Sequence, residues 1–238
     1  MTDATSGLLT PGTLDLFSQK TRDKILAASL VLFNQRGFGA VTTASIAEQA
    51  GILEGTLWYH FRTKKDILSA HIALLQTVFA QENTKADSSD PETIIDGIFR
   101  SYDVIWDFRY LLRDDFNALL NPEDDVLVTV QGVNDFLDQW TEGRMLHAAD
   151  HGLLAFDKDD SGAVAEIILV LGRYWMDFSH KKYPAAEGVA LRHKGLSHIF
   201  TVLRPYLSTP ASELIGERLR RGWRSTLRPA PKASRHAP

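Results

Sequence analysis

Residues 42–68, TTASIAEQAGILEGTLWYHFRTKKDIL, constrain this chain more than any other stretch. A hydroxyl at Thr42 or Thr43 can cap a short helix by accepting from an orphan N–H of its first turn. Ser45 and Glu48 have capping-box spacing, so a start two residues later is also open. Ile46, Ala47 and Ala50 share one face at helical spacing, and the small alanines let a second helix cross close by. Gly51 supplies the permissive backbone of a tight turn. Leu57 and Phe61, four apart, pin a second short helix over residues 54–61 to the first. Thr56, Tyr59 and His60 are then left facing outward. A phenol and an imidazole on the open face of a short helix add little to stability, and they suit a face that meets nucleic acid.

Thr63 and Asp66 open a third helix, with Lys64 and Lys65 in its first turn. Cations there oppose the helix dipole at a cost of about 0.3–1 kcal/mol each at most. Beside a presumed DNA face they read as phosphate contacts; the plainer reading is two solvated lysines.

These residues carry a family resemblance. Thr42-Thr43, Ile46-Ala47, Ala50-Gly51, Gly55-Thr56-Leu57, Tyr59-His60-Phe61 and Lys64-Asp66-Leu68 resemble the DNA-binding domain of the TetR family of bacterial transcriptional regulators, over about residues 21–75. The resemblance implies an all-α homodimer: an N-terminal three-helix helix-turn-helix domain that binds a palindromic double-stranded operator, then a larger helical bundle that dimerises and holds a small molecule. Leu53 and Glu54 depart from the family, which usually has a small polar residue and a lysine there. A carboxylate at that place repels phosphate but can accept from a cytosine amino group.

Charge is distributed to match. The net charge is −4, but between Lys20 and His71 seven bases face four acids, leaving +3. The middle of the chain, 82–125, is acidic. Such asymmetry presents one end to DNA. With 238 residues, 44% of them hydrophobic, there is material for two modest domains. The absence of cysteine removes disulfide and thiolate chemistry. The opening residues lack a signal-peptide pattern, and no run approaches the roughly 18 apolar residues of a membrane span. A cytoplasmic protein without membrane contact is expected.

Along the chain, residues 1–19 read as a disordered arm, 20–66 as the helix-turn-helix domain, 67–222 as the regulatory and dimerisation domain, and 223–238 as a basic disordered tail. Residues 21–35 form the first strong helix, closed by Gly37. A long helix over 65–83 links the two domains mechanically. An aromatic-rich helical stretch over 92–121 is broken once near Asp107, and its WDFRYLLRDD run resembles one branch of the same family. Helices over 124–152, 163–180 and 187–207 follow, the last interrupted by Pro205, with a short one over 210–222. The 163–180 helix has an apolar arc broader than one core requires, which points to a partner chain.

Catalytic motifs are missing: no HExxH, P-loop, GxSxG or GxGxxG. No enzyme activity, cofactor or metal is expected. Asp157, Asp159, Ser161 and Gly162 match the opening of a calcium loop, but Ile168 stands where the bidentate glutamate belongs; the acids read as helix caps. His147, Asp150 and His151 offer the one metal-compatible spacing. Phe99, Tyr102, Trp106, Phe136, Trp140 and Trp175 come from three helices and either fill a core or line a pocket for an apolar or aromatic effector. The leading expectation is a ligand-responsive repressor. The alternatives are an effector-independent DNA- or partner-binding factor on the same fold, and a small helical metalloenzyme.

Overall fold

The computed structural model describes residues 8–85, 88–183 and 188–226. Among them every regular element is a helix, apart from one lone bridge between Leu154 and Leu207.

Helix α2, Thr21–Arg36, is the centre of the N-terminal half. Every residue from Ile25 to Asn34 is buried, so it is enclosed on all sides over that stretch. It closes at Gly37, whose φ of 82° is open to glycine and whose N–H reaches the Phe33 carbonyl at 2.9 Å. Helix α3, Thr43–Ala50, starts with a reciprocal cap: Thr42 Oγ1 accepts from Ser45 N–H, and Thr42 N–H donates to Ser45 Oγ, both at 3.2 Å. This settles which hydroxyl caps it. Gly51 turns the chain at φ 68°, and helix α4, Glu54–His60, follows. A seven-residue helix is marginal alone. Leu57 and Phe61, 0% and 3% exposed, hold it in place, each burial contributing about 1.5–3 kcal/mol. Helix α5, Lys64–Lys85, opens on a second reciprocal cap between Thr63 and Asp66.

The expected single break after α6, Pro91–Asp107, is in fact two breaks. They leave the short helices α7, Tyr110–Arg113, and α8, Phe116–Leu119, the latter capped by Asp115. Helices α9, Asp125–Asp150, α10, Ser161–Lys182, and α11, Gly188–Leu203, complete the bundle. Pro205 lies in a 3-10 turn just past α11. Helix α12, Thr209–Thr226, runs beyond the expected end, so residues 223–226 are helical rather than disordered. The rest of the expected tail, 227–238, lies outside the described residues.

The expected disordered arm is also corrected, for residues 8–19. Helix α1, Pro11–Leu14, lies there, and Leu9 and Phe17 are buried. Thr10 donates to Asp107 Oδ2 through its N–H at 2.8 Å and its hydroxyl at 2.6 Å. The partner is 97 residues away, so the order of this arm depends on a contact that no local spacing encodes. Residues 1–7 lie outside the described residues.

Two apolar cores result. The first joins α2–α5 to α7, α8 and most of α9. The second joins α6 and the end of α9 to α10–α12. Ile105 and Leu112 pack against both. The first core therefore continues past residue 66, where the sequence pattern placed a domain boundary.

His71 lies fully buried in the first core. Its Nε2 faces the Leu26 carbonyl at 3.0 Å and must donate there, so Nδ1 accepts from the Tyr110 hydroxyl at 2.8 Å. Burial pushes its pKa down to about 4. A proton is then bound by the unfolded chain before the folded one. Stability is full above about pH 6.5 and falls as pH drops toward 4, by on the order of 3 kcal/mol in total. Urea denaturation at pH 7 and 4.5 should show this fall, and His71→Gln should flatten it; an equal fall in both would locate the acid sensitivity elsewhere.

Candidate nucleic-acid interface

Helix α4 presents an unusual surface. Tyr59 is 85% exposed and Leu53, at the helix start, 80% exposed. Trp58, Glu54 and Thr56 are exposed beside them. Leu53 holds the N-cap position without a capping side chain. Ser, Thr, Asp or Asn there would add about 1 kcal/mol, so this end of the helix forgoes stability to place an apolar side chain in solvent. Thr43 reaches across from α3 and donates to Glu54 Oε1 at 2.7 Å. Tyr59 and His60 meet edge to face at 5.2 Å.

Of the residues singled out from sequence, Thr56 and Tyr59 share the open face of α4, His60 is half-buried at its end, and Thr43 lies alongside. The two lysines are placed differently from a pair of free phosphate contacts. Lys64 donates its ammonium to the Phe38 and Val41 carbonyls at 2.7 and 2.8 Å and lies 4.4 Å over the Phe38 ring. Burial lowers its pKa. It fastens α5 to the loop between α2 and α3. Lys65 pairs with Asp124, the N-cap of α9, at 2.6 Å. That pair is partly exposed, so solvent screens it and it can exchange for phosphate. Glu54 and Leu53 had a visible signal, an acid and an uncapped leucine where the pattern asks for polar and basic residues.

Behind this unit, residues 106–115 clamp the end of α2. Asn34 donates to the Asp107 carbonyl at 2.5 Å and accepts from Tyr110 N–H at 3.2 Å. Arg113 donates to the Asn34 and Phe33 carbonyls at 2.8 and 3.0 Å, a cation at the negative end of the helix dipole. Asp114 accepts from Phe38 N–H at 2.5 Å.

The six aromatic residues proposed for a pocket are dispersed. An almost wholly apolar cavity of about 90 Å³ lies between α6, α7, α9, α10 and α11, and only Tyr102 and Trp140 of the six line it. The Tyr102 hydroxyl is buried without a partner among the described residues, and burial raises its pKa. Phe99 stacks on Phe200 at 5.3 Å. Phe136 packs edge-on against Phe79 of α5, as Trp140 also does. Trp175 donates to the Leu191 carbonyl at 2.9 Å and fills the core over Gly195, where a Cβ would collide with it. Trp106 lines a different, larger cleft. Helical spacing puts Phe99, Tyr102 and Trp106 on one face of α6 and Phe136 and Trp140 on one face of α9; the dispersal is tertiary, because the α9 pair meets Phe79 of α5 while Phe99 meets Phe200 of α11.

The His147 and His151 rings lie 4.2 Å apart, with His147 Nε2 near the Ser88 carbonyl at 3.3 Å and His151 Nδ1 donating to the His147 carbonyl at 2.8 Å. Among the described residues no group of three or more His, Cys, Asp or Glu is placed to hold a metal. Ser161, from the calcium-like run, starts α10 and donates to Glu142 at 2.9 Å.

The two lysines should separate by experiment. Lys65→Ala should lower the slope of log K against log salt for DNA binding by about one and leave the melting temperature unchanged. Lys64→Ala should cost on the order of 1–2 kcal/mol of stability through the lost charged hydrogen bonds. An unchanged melting temperature for Lys64→Ala would return it to the phosphate contacts.

Comparison with known proteins agrees with this arrangement. The profile described as "Bacterial regulatory proteins, tetR family" matches residues 25–71, and that described as "Bacterial transcriptional repressor" matches residues 73–215. The chain is 33% identical over 79 residues to the HTH-type transcriptional regulator TtgR of Pseudomonas putida, covering 33% of this chain and 36% of that one. It is 32% identical over 80 residues to the HTH-type transcriptional repressor KstR2 of Mycobacterium tuberculosis, covering 33% and 40%. The match thus spans well under half the length of these relatives. Among solved structures, a TetR-family transcriptional regulator from Marinobacter aquaeolei VT8 superposes with a TM-score of 0.61 at 25% identity, over 85% of this chain and 98% of the other. CprB from Streptomyces coelicolor, solved with its operator sequence, has a TM-score of 0.58 at 18% identity, over 86% and 97%, and so shares the fold. With the longer profile extending over more than half its residues, the chain belongs to the TetR family of bacterial transcriptional regulators.

Proposed function

We propose that this protein is a ligand-responsive repressor that binds a palindromic operator as a homodimer. The observation that carries the DNA-binding part is the surface of α4. Tyr59 and Leu53, 85% and 80% exposed, stand on a helix held rigidly by Leu57 and Phe61. Apolar and aromatic groups presented this way are placed to meet base edges and sugars, with Thr56 and His60 beside them. Glu54 has its carboxylate oriented by Thr43. In the major groove such an acceptor suits a cytosine amino group, and Leu53 suits a thymine methyl. Lys65 supplies a phosphate contact. Any catalytic role would need a convergent acid–base set, and nothing in this arrangement calls for one.

Dimerisation is supported by α10. Ile167, Val170 and Tyr174, 53%, 58% and 64% exposed, form a stripe at helical spacing, with Val202 of α11 exposed as well. A contiguous exposed apolar strip of this kind marks an interaction surface. A second copy presenting the same strip closes it under two-fold symmetry, which matches the symmetry of a palindrome.

Ligand response is supported by α7. Leu112 lines the interior cavity, while the adjacent Arg113 and Asp114 hold the end of α2. A ligand that shifts α7 must shift α2, and with it the spacing of the two recognition helices. It acts only through different affinity for the two arrangements. Among fold relatives, SmeT has been solved as a triclosan complex, and other neighbours are described as γ-butyrolactone receptors. No helix of the described residues is long and apolar enough to cross a membrane, which fits action on DNA in the cytoplasm. The small interior cavity favours the effector-independent reading to one extent: it lies below the roughly 300 Å³ of common ligand pockets.

Selection of genomic fragments bound by the full chain should return inverted repeats with half-sites about one helical turn apart. Tyr59→Ala should weaken binding to the selected site roughly tenfold or more without lowering the melting temperature. Glu54→Gln should alter the preferred base at one position of each half-site. Tyr174→Glu should yield monomers in sedimentation and lose operator affinity. A protein that selects no sequence, or a Tyr174→Glu dimer, would defeat the corresponding part of the proposal.

A further inference from the structure

The interior cavity of about 90 Å³ is not the largest hollow. A cleft of about 670 Å³ opens where the N-terminal arm, the end of α2, the end of α6 and the facing ends of α10 and α11 meet. That volume is within the roughly 300–1,000 Å³ of ligand pockets.

Two guanidinium groups line it, Arg109 and Arg192. Arg192 reaches Asp103 at 3.3 Å, but its buried Nε–H has no partner among the described residues. Arg109 donates to the Trp106 carbonyl at 2.8 Å and lies 4.9 Å over the Trp106 ring. It makes no ion pair among the described residues, and burial pushes its pKa down to about 10. One carboxylate, Asp107, also lines the cleft and lies close enough to both guanidinium groups to interact with their charge, but it is held by Thr10; Asp103 pairs with Arg192. Leu9, Leu14, Met176 and Leu191 supply apolar wall. A buried donor without an acceptor is costly, and here the Arg192 Nε–H adjoins apolar surface open enough to be filled.

We propose that this cleft binds an amphipathic oxyanion, a small molecule with a carboxylate-like head and an apolar body, whose head accepts from Arg109 and Arg192. The arm and α2 form one side of the cleft and the ends of α6, α10 and α11 the other, so a bound molecule spans both halves of the protein. Its regulatory consequence rests on the ligand-responsive reading above; its binding does not.

Two fluorescent probes that differ only in the anion test this on the full-length protein: 1-anilinonaphthalene-8-sulfonate and its uncharged parent, N-phenyl-1-naphthylamine. The wild type should bind the sulfonate more tightly. Arg109→Met and Arg192→Met should each weaken the sulfonate about tenfold or more and leave the neutral probe within about twofold. Arg109→Lys, which keeps a charge, should retain part of the preference. Val189→Trp, which fills the cleft without touching either arginine's charge, should weaken both probes. Melting curves establish that each variant is folded. No binding by the wild type, wild-type sulfonate affinity in both arginine variants, or loss only in Ile168→Trp, which fills the interior cavity instead, would overturn the proposal. Operator titrations separate the two readings. Release by the sulfonate in wild type but not in Arg109→Met supports both. Arginine-dependent binding that leaves operator affinity unchanged supports the site and removes it from regulation. Release that persists in Arg109→Met overturns the cleft as effector site while ligand response stands.

Discussion

Helix α2 ends at Arg36 and leaves its last carbonyls to be answered from outside the helix. The Phe33 and Asn34 carbonyls accept from the Arg113 guanidinium, and the Asn34 side chain bonds the backbone of Asp107 and Tyr110. Everything above the DNA-reading unit depends on this junction. It is nearly dry: the Arg113 and Asp114 side chains are 10% and 8% exposed. In such surroundings a satisfied polar network specifies one arrangement, and a broken one leaves charges without partners at a cost of several kcal/mol. The junction therefore behaves as a fitted joint rather than as a greasy contact that can slide.

That property suits a molecule that must exist in two arrangements. The short helix α7 carries three contacts in four residues. Tyr110 bonds His71 of α5, Leu112 lines the interior cavity, and Arg113 holds α2. Ile105 and Leu112 belong to the margins of both apolar cores. A displacement on either side is transmitted through packed side chains and hydrogen bonds that have discrete alternatives. The arm adds a second tie: Thr10 joins the DNA-reading half to Asp107, whose carboxylate pKa burial raises while the bonds from Thr10 oppose the shift.

The recognition helix shows the opposite policy. Its core side, Leu57 and Phe61, is buried, while its outer side exposes leucine, tryptophan and tyrosine and lacks a cap. Several local rules are broken together on this surface. Such concentrated departures are expected where a surface serves a partner rather than the fold. Lys64 belongs to the supporting side: its place in the first turn opposes the dipole, and two carbonyls and an aromatic face compensate.

What the sequence determined by itself was the local part. The helices of residues 21–60 and the turn at Gly51 follow from spacings within a few residues, whereas the choice of Thr42 as the cap of α3 needed the structure; the outward face of α4 follows too, because 3.6-residue periodicity assigns Leu57 and Phe61 to one side and Thr56 and Tyr59 to another. The apolar excess on α10 was legible for the same reason. Tertiary structure decided whatever depends on partners far along the chain. It bound Thr10 to Asp107, converted Lys64 from a candidate contact into a fastener, paired Lys65 with Asp124, and scattered six aromatic residues over separate surroundings. A side chain's composition states what it can bond to; only the packed fold brings the partner within 3 Å, and that selection, made by burial rather than by sequence neighbours, is what turns a helical pattern into a site.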